Sequence, residues 1–405
     1  MATECESLHK QYDAQLANLN LIDERIAGYV APNDVPLQLL KDRRGCETEL
    51  ARLRAEIERT CRAPSPPARR PAQPKRTLIV DPMYQEPDSY PTITAALAAA
   101  MPGERILIRA GTYEEHLTLT QDGLELIGAG DVEDVVIETS TSAVLTFAAT
   151  SGLIKNITLR QIADPPIARA HGDHEAGWYP ALEIAQGNPQ ISECVITSQS
   201  GACVLIHDRA NPRLSSNIIE GGQCGVLFHS GGRGRLDDNQ IRNHAGDGVV
   251  LSTRAAPTLR YNRIYGNGLA GVVFVEHGRG SLHNNDIYQN AADGVQILQS
   301  SNPTVRENRI YGNQGHGVLI NAAGQGTLEA NVIFANEQAG MLVRAGSTPT
   351  VRENQINRNH AEAIRIEAKG GGTYTHNDLR ENGGGAWRVD RSSKPLIKRE
   401  KNRRT

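Results

Sequence analysis

The chain has 405 residues, a net charge of −3 and 39 glycines with only 4% aromatic residues. That balance fits a turn-dense, repetitive architecture better than compact layered domains, and the weakly acidic total excludes the whole protein as a general polyanion binder. No run of about 18 apolar residues is available to span a membrane.

Met1 to Lys10 lacks the apolar core of a secretion signal. The six cysteines, at 5, 46, 61, 194, 203 and 224, have neither paired nor metal-type spacing. Reduced thiols, a cytoplasmic location and no cofactor are therefore expected.

Residues 1–61 read as an α-helical hairpin. Leu8, Tyr12, Leu16, Leu19, Ile22 and Ile26 recur at helical steps, Gly28 and Pro32 interrupt, and Leu37, Leu40, Leu50, Leu53 and Ile57 follow on one face. Such a hairpin must pack on something, so self-association or a protein partner is expected. Residues 62–76 form a basic, proline-rich linker, a semi-rigid solvated spacer and not a nucleic-acid site.

From residue 77 to 398 the pattern is periodic. An Asn followed two positions on by Ile or Leu recurs at Asn217, Asn239, Asn262, Asn285, Asn308, Asn331, Asn354 and Asn377, in steps of 22 once and 23 thereafter. Cys194 and Asn156 are aligned with the same position in earlier coils. A glycine-led apolar strand, beginning with Gly225-Val226-Leu227-Phe228, keeps the step.

Short strands at a fixed period, without room for helices, specify a mainly β fold: a single-stranded right-handed parallel β-helix of about a dozen coils of roughly 23 residues. Alternation sends Val249 and Leu251, or Val318 and Ile320, inward. The Asn file is expected to take the left-handed bend and to hydrogen-bond amide to amide, and a second file runs through Asn267, Asn290, Asn313, Asn336, Asn359 and Asn382.

A short helix over Pro91 to Leu97, with Pro91 in its first turn, is expected to plug the first coil. No matching cap is visible after Trp387. Trp387 itself is expected to cover the last coil, and the basic residues from Lys394, with 399–405 outside the solenoid, read as a disordered tail.

The segment SYPTITAALAAAMPGERILIRAGTYEEHLTL resembles the start of pectin-lyase-like and NosD/CASH-type β-helix domains. The alternation of NPTVRENRIYGN with GQGTLEANVIFAN resembles the β-helix of F-box-only substrate adaptors of animal ubiquitin ligases, although no F-box is recognisable. The N-terminal helices are similar to segments preceding repeat domains in multidomain bacterial proteins. The resemblance implies substrate-protein binding in the adaptors and carbohydrate binding or cleavage in other members.

Candidate chemistry is sought down the files. Asp247, Asp293, His316 and Glu362 share the place before the strand glycine, and Asp293 beside His316 could orient a general base. Gly315-His316-Gly317 and Asp237-Asp238 resemble polygalacturonase elements but are separated by over three coils, so that activity is not expected. The insertion 162–180 breaks the period. Its His171, Asp173, His174 and Glu175 could ligate a metal, and Trp178 and Tyr179 could meet a sugar or peptide.

The middle residue of the apolar strand, read as Val204, Leu227, Val250, Val273, Gln296, Leu319 and Leu342, gives an outward apolar stripe that should be covered. Tyr265, Tyr288, Tyr311 and Phe334 stack in a further file, either for stability or as a platform for sugar rings. These features favour a non-catalytic scaffold presenting the β-helix face to a protein or glycan. A polysaccharide lyase, hydrolase or epimerase is the alternative.

Overall fold

The computed structural model describes residues 36–60, 75–83, 88–162 and 178–404, together with ten helical residues between positions 7 and 22. The chain divides into two units, Met1–Pro74 and Lys75–Thr405.

In the first unit the helix α1 covers Leu37–Thr60. Leu50 and Leu53 are buried, whereas Leu40 is 42% exposed and so does not belong to the buried stripe. Arg52 bonds Glu49 and Glu56, which lie three and four residues away on the solvent face. Residues 23–35, where a hairpin would close, lie outside the described residues, as do 61–74 of the linker.

In the second unit every strand pairs in parallel with its counterpart one coil away. The result is three long sheets of fourteen, eleven and twelve strands. Within a coil the chain visits them in turn, for example at Arg213–Ser215, Ile218–Glu220 and Cys224–Phe228. The inner file of each sheet is continuous: Leu214, Leu236, Leu259 and Leu282, and likewise Val226, Val249 and Val272, are fully buried in one core. Burial at about 25 cal/mol per Å² of apolar surface drives the stacking, and the ladder hydrogen bonds hold the coils in register.

Both Asn files are ladders. Asn217 Nδ2 donates to Asn239 Oδ1 at 2.9 Å, and the chain of amides runs through Asn354 to Asn377 at 3.0 Å. In the second file Asn267 Nδ2 donates to Asn290 Oδ1 at 2.8 Å. The left-handed residue is not the Asn but the one before it: Ser216, Asp238, Tyr261 and Glu307 have φ of 58°, 62°, 59° and 57°. Asn156, itself at φ 56°, therefore sits one place early, and Ile157 holds the ladder position in its coil.

The physical reason is burial. An amide that must both give and take bonds has to point inward, so the residue bearing the bend points outward, where its identity matters little. The strand glycine is likewise forced, because a Cβ on Gly248 would lie 2.6 Å from Gly271 O and 2.8 Å from Asn267 Nδ2.

The ends differ from expectation. A strand at Thr77–Val80 precedes Arg105–Ile108 and pairs with it. The capping helix α2, Ile93–Ala99, is N-capped by Thr92, whose hydroxyl accepts from Ala95 N, so Pro91 lies outside its first turn. The Glu115 carboxylate accepts from the backbone N–H groups of Ile93 and Thr94, at 2.8 Å each, at the positive end of this helix.

At the other end the basic tail is a coil. Ile397–Glu400 pairs with Gly372–Thr375, and Asn402 extends the first ladder by accepting from Asn377 Nδ2 at 2.9 Å. Arg399 takes the inner file above Tyr374, with its guanidinium 4.1 Å from the Trp387 ring centroid. The cap expected of Trp387 is thus a cation over an indole. A step of 25 residues in place of 23 hid Asn402 from the periodic reading.

Candidate functional site: the outer face of the twelve-stranded sheet

Strand register defines two outward files on this sheet. The first is Thr146, Glu183, Leu205, Leu227, Val250, Val273, Gln296, Leu319, Leu342, Arg365 and Arg388. Val204 is not in it. It pairs with Val226 in the inner file and is fully buried, because the step there is 22 residues and a shift of one position turns a side chain to the other face. Leu227, Val250 and Leu319 are half-buried, and Val273 and Leu342 are 7% and 5% exposed. The stripe is thus partly exposed at Leu227, Val250 and Leu319 and closed over at Val273 and Leu342.

In the file of Asp247, Asp293, His316 and Glu362 the first three cap backbone of the adjoining coil, whereas Glu362 is held by Arg365 and Arg388. Asp247 Oδ1 accepts from Ala270 N at 2.8 Å, Asp293 Oδ1 from His316 N at 2.7 Å, and His316 Nδ1 from Ala339 N at 3.1 Å. Asp293 Oδ2 accepts from the Gln296 amide at 2.8 Å.

The expected carboxylate-to-imidazole hydrogen bond is replaced by these caps, since each side chain meets an N–H left open where the strand begins. Burial lowers the His316 pKa against the pull of Asp293, keeping the ring neutral. Burial raises that of Asp247. Glu362 is lowered: burial opposes ionisation but is outweighed by its own backbone N–H, by Arg365 at 2.8 Å and by Arg388 at 3.5 Å.

The cluster with free chemistry lies at the other end of the same face. Glu183 stands in the first outward file, with Thr146 Oγ1 donating to its Oε2 at 3.3 Å. His207, one coil on and in the second file, places Nε2 3.0 Å from Glu183 Oε1 and Nδ1 2.8 Å from Asp208 Oδ2. His229 continues that file and stacks on His207 at 5.2 Å with a 6° interplanar angle.

With a carboxylate on each nitrogen, the imidazole is biased toward its cation. The hydrogen bond to Glu183 raises the His207 pKa against burial, and Asp208 adds to the rise. Reciprocally, the hydrogen bond from His207 lowers Glu183 against burial, helped by Thr146 and the charge of His116. The two shifts favour an ionised carboxylate beside a protonated imidazole, one able to accept a proton and the other to give one. Its parts are fixed by rigid strands on both sides.

Residues 163–177 of the insertion, including His171, Asp173, His174 and Glu175, lie outside the described residues. Among the described residues no group of three or more His, Cys, Asp and Glu is arranged to hold a metal. Where the chain resumes, Trp178 is 52% exposed and Tyr179 is half-buried, its carbonyl accepting from Ser198 Oγ at 3.1 Å. Both immediately precede the Glu183 strand.

The tyrosine file is a stack: Tyr265 to Tyr288, Tyr288 to Tyr311 and Tyr311 to Phe334 are 4.8, 5.0 and 4.8 Å apart. Tyr288, Tyr311 and Phe334 are 6%, 8% and 0% exposed, so no ring face remains for a sugar along most of its length. The stack serves stability, with Arg309 lying 5.1 Å over Tyr311.

Glu183, His207 and His229 escaped the sequence reading because the insertion broke the register on which the files were traced. One signal was available: His207 and His229 repeat at the same 22-residue step as Asn217 and Asn239.

Comparison with solved structures agrees on the architecture. The periplasmic alginate epimerase AlgG superposes with a TM-score of 0.57 at 16% identity, over 78% of this chain and 83% of that one. The A-module of the Azotobacter vinelandii mannuronan C-5 epimerase AlgE4 gives 0.55 at 17% identity, over 74% and 91%. The catalytic unit of the GH87 α-1,3-glucanase from Streptomyces thermodiastaticus strain HF3-3 gives 0.50 at 15%, over 82% and 69%. At these identities the likeness is one of fold.

The sequence itself matches the model of the right handed beta helix region at residues 144–283 and 247–401. The resemblance to pectin-lyase-like domains stands as one of fold, and the particular closeness to F-box adaptors is not shown. Together the matches take in well over half the chain, which therefore belongs to the right handed beta helix region family.

Proposed function

We propose that this protein acts on a polysaccharide laid along the outer face of the twelve-stranded sheet, with Glu183 and His207 transferring protons at the reacting sugar. The observation that carries the reading is the Glu183–His207 contact of 3.0 Å, a carboxylate and an imidazole poised in complementary protonation states on an accessible, rigid surface. It is supported by the company the fold keeps, since the three superposed structures are named as alginate or mannuronan epimerases and an α-1,3-glucanase.

In the reaction the Glu183 carboxylate takes a proton from the sugar or from an attacking water, and the His207 imidazolium, on the same side of the sugar, delivers one to the departing glycosidic oxygen. Asp208 holds the imidazole in place. Leu205 and Leu227 offer a flat apolar floor beside this pair, and the exposed Trp178 ring suits a pyranose face.

The test is incubation of the full chain with polymannuronate, polygalacturonate and α-1,3-glucan, read by reducing ends, unsaturated-uronate absorbance and proton NMR of C5 inversion. One polymer should be altered, and Glu183→Gln should lower the rate by about 100-fold or more. A fully active Glu183→Gln protein, or three unchanged polymers, overturns the proposal.

A further inference from the structure

Around the corner from His207, the fourteen-stranded sheet carries a cluster of arginines that the proposed chemistry does not use. Asp237 is buried there, its side chain 8% exposed, and three guanidinium groups from successive coils converge on it. Arg260 Nε donates to Oδ1 at 3.3 Å. Arg235 Nε approaches Oδ2 to 2.5 Å as an ion pair without hydrogen-bond alignment, and Arg213 Nε lies 3.5 Å from the same oxygen.

All three contacts use Nε. No hydrogen bond leaves the terminal nitrogens of these arginines among the described residues, although the side chains are 55%, 44% and 31% exposed. The carboxylate therefore anchors three planar forks and leaves their paired Nη donors uncommitted. Strand register places Arg213, Arg235 and Thr258 in one file and Asp237 and Arg260 in the next, so the backbones bearing Arg213 and Arg235 lie one strand spacing, about 4.8 Å, apart, with Arg260 in the adjoining file.

The basic character extends beyond the clamp. Arg233, Arg254 and Arg279 are exposed in the turns leading to the same strands, and Arg209 directly follows Asp208 of the candidate site. Four carboxylates lie among these seven arginines. Asp208 is bound to His207, Asp237 is inside the clamp, Glu276 accepts from Thr253 Oγ1 at 2.7 Å, and Asp238 is the fourth. The face is thus cationic on a chain whose total charge is −3.

We propose that Arg213, Arg235 and Arg260, ordered by Asp237, bind the carboxylate groups of an anionic polysaccharide, a polyuronate whose next segment reaches the Glu183–His207 pair across the Asp208–Arg209 turn. The inference rests on the proposed function for the identity of the anion's carrier. A planar carboxylate meets the exposed fork of an arginine two bonds at a time, which a neutral sugar cannot do. Two forks one strand spacing apart and a third in the adjoining file offer several carboxylate-binding ends side by side, which suits a chain with one charge on each residue better than an isolated anion. Duplex DNA carries the same charge sign but would need a longer positive track.

The experiment is native electrophoresis of the full chain through gels containing a polyuronate, a sulfated glucan, a neutral glucan or duplex DNA. The polyuronate should retard the protein most, and the neutral glucan should not. Arg213→Gln combined with Arg235→Gln should weaken polyuronate binding by at least about tenfold. Asp237→Asn, which unties the forks while keeping their charge, should weaken it by less, with circular dichroism confirming that both variants fold.

Unchanged retardation of the double variant overturns the proposal, as does stronger retardation by the sulfated glucan or DNA. Glu183→Gln keeps the retardation while losing turnover. Turnover confined to a neutral glucan defeats this inference alone, whereas arginine-dependent polyuronate binding by a chain that alters no glycan defeats the proposed reaction alone.

Discussion

The two ends of the twelve-stranded sheet present polar groups in closely related outward positions and use them in opposite ways. Between Asp247 and Glu362 each acidic or imidazole side chain is engaged with the chain itself, through a backbone N–H of the adjoining coil or a neighbouring arginine. Between Thr146 and His229 the side chains engage one another across files, and the charge they carry faces outward. The difference lies in regularity. Where the period is strict, each coil offers its neighbour the same open N–H, and a polar side chain in reach satisfies it. Beside the insertion the period is broken, and there Glu183, His207 and Asp208 pair with one another instead.

The harshest probe of the regular region is a ladder amide. Asn308→Ala takes the acceptor from the buried backbone N–H of Asn285 and removes one bond each from the Asn285 amide and the Leu282 carbonyl. A loss of about 3–5 kcal/mol should appear in urea unfolding. A loss below about 1 kcal/mol would show that the ladder is not what holds these coils.

Next in size are the paired substitutions that test the contrast directly. Glu183→Gln should cost about 100-fold in rate, or about 2.7 kcal/mol of barrier, with unfolding almost unchanged. Asp293→Ala should do the reverse: turnover stays, and stability falls by about 1–3 kcal/mol because His316 N loses its acceptor. If both variants fail in the same assay, the two ends are not functionally distinct.

The pH dependence gives a smaller but more specific effect. The folded-state pKa of His207 is raised, so its contribution to stability is complete below the unfolded value of about 6.5 and disappears as pH rises through the folded value. For Glu183 the folded value is lowered. Its contribution holds above the ordinary glutamate range and is lost as pH falls through the folded value.

Activity requiring both charged forms should therefore be bell-shaped, with an acid limb below the usual carboxylate range and a basic limb above that of an ordinary histidine. His207→Gln should remove the basic limb. The His316→Gln profile should keep the wild-type shape, because that ring is already neutral in the folded protein.

Most of the architecture could be read from spacing. The step from Asn217 to Asn377 placed the coils, and alternation correctly turned Val249, Leu251, Val318 and Ile320 inward. Errors gathered where the step changed. Val204 was set one place off by a 22-residue coil, Asn156 by the coil before the insertion, and Asn402 was missed behind a 25-residue step. The candidate site suffered for the same reason. Glu183 and His207 lie in different files and in coils just after the insertion, so neither is aligned by the motif that begins at Gly225.

By itself the sequence determined which side chains share a file and which of them face the core, because a repeated length imposes repeated geometry whatever the local residues. Only the folded arrangement decided whether an outward polar group is free. That depends on the N–H groups, carboxylates and guanidinium groups brought around it from neighbouring coils, each competing for the same few lone pairs. Asp293 lost its acceptor capacity to backbone in that competition. Glu183 kept its own for an imidazole.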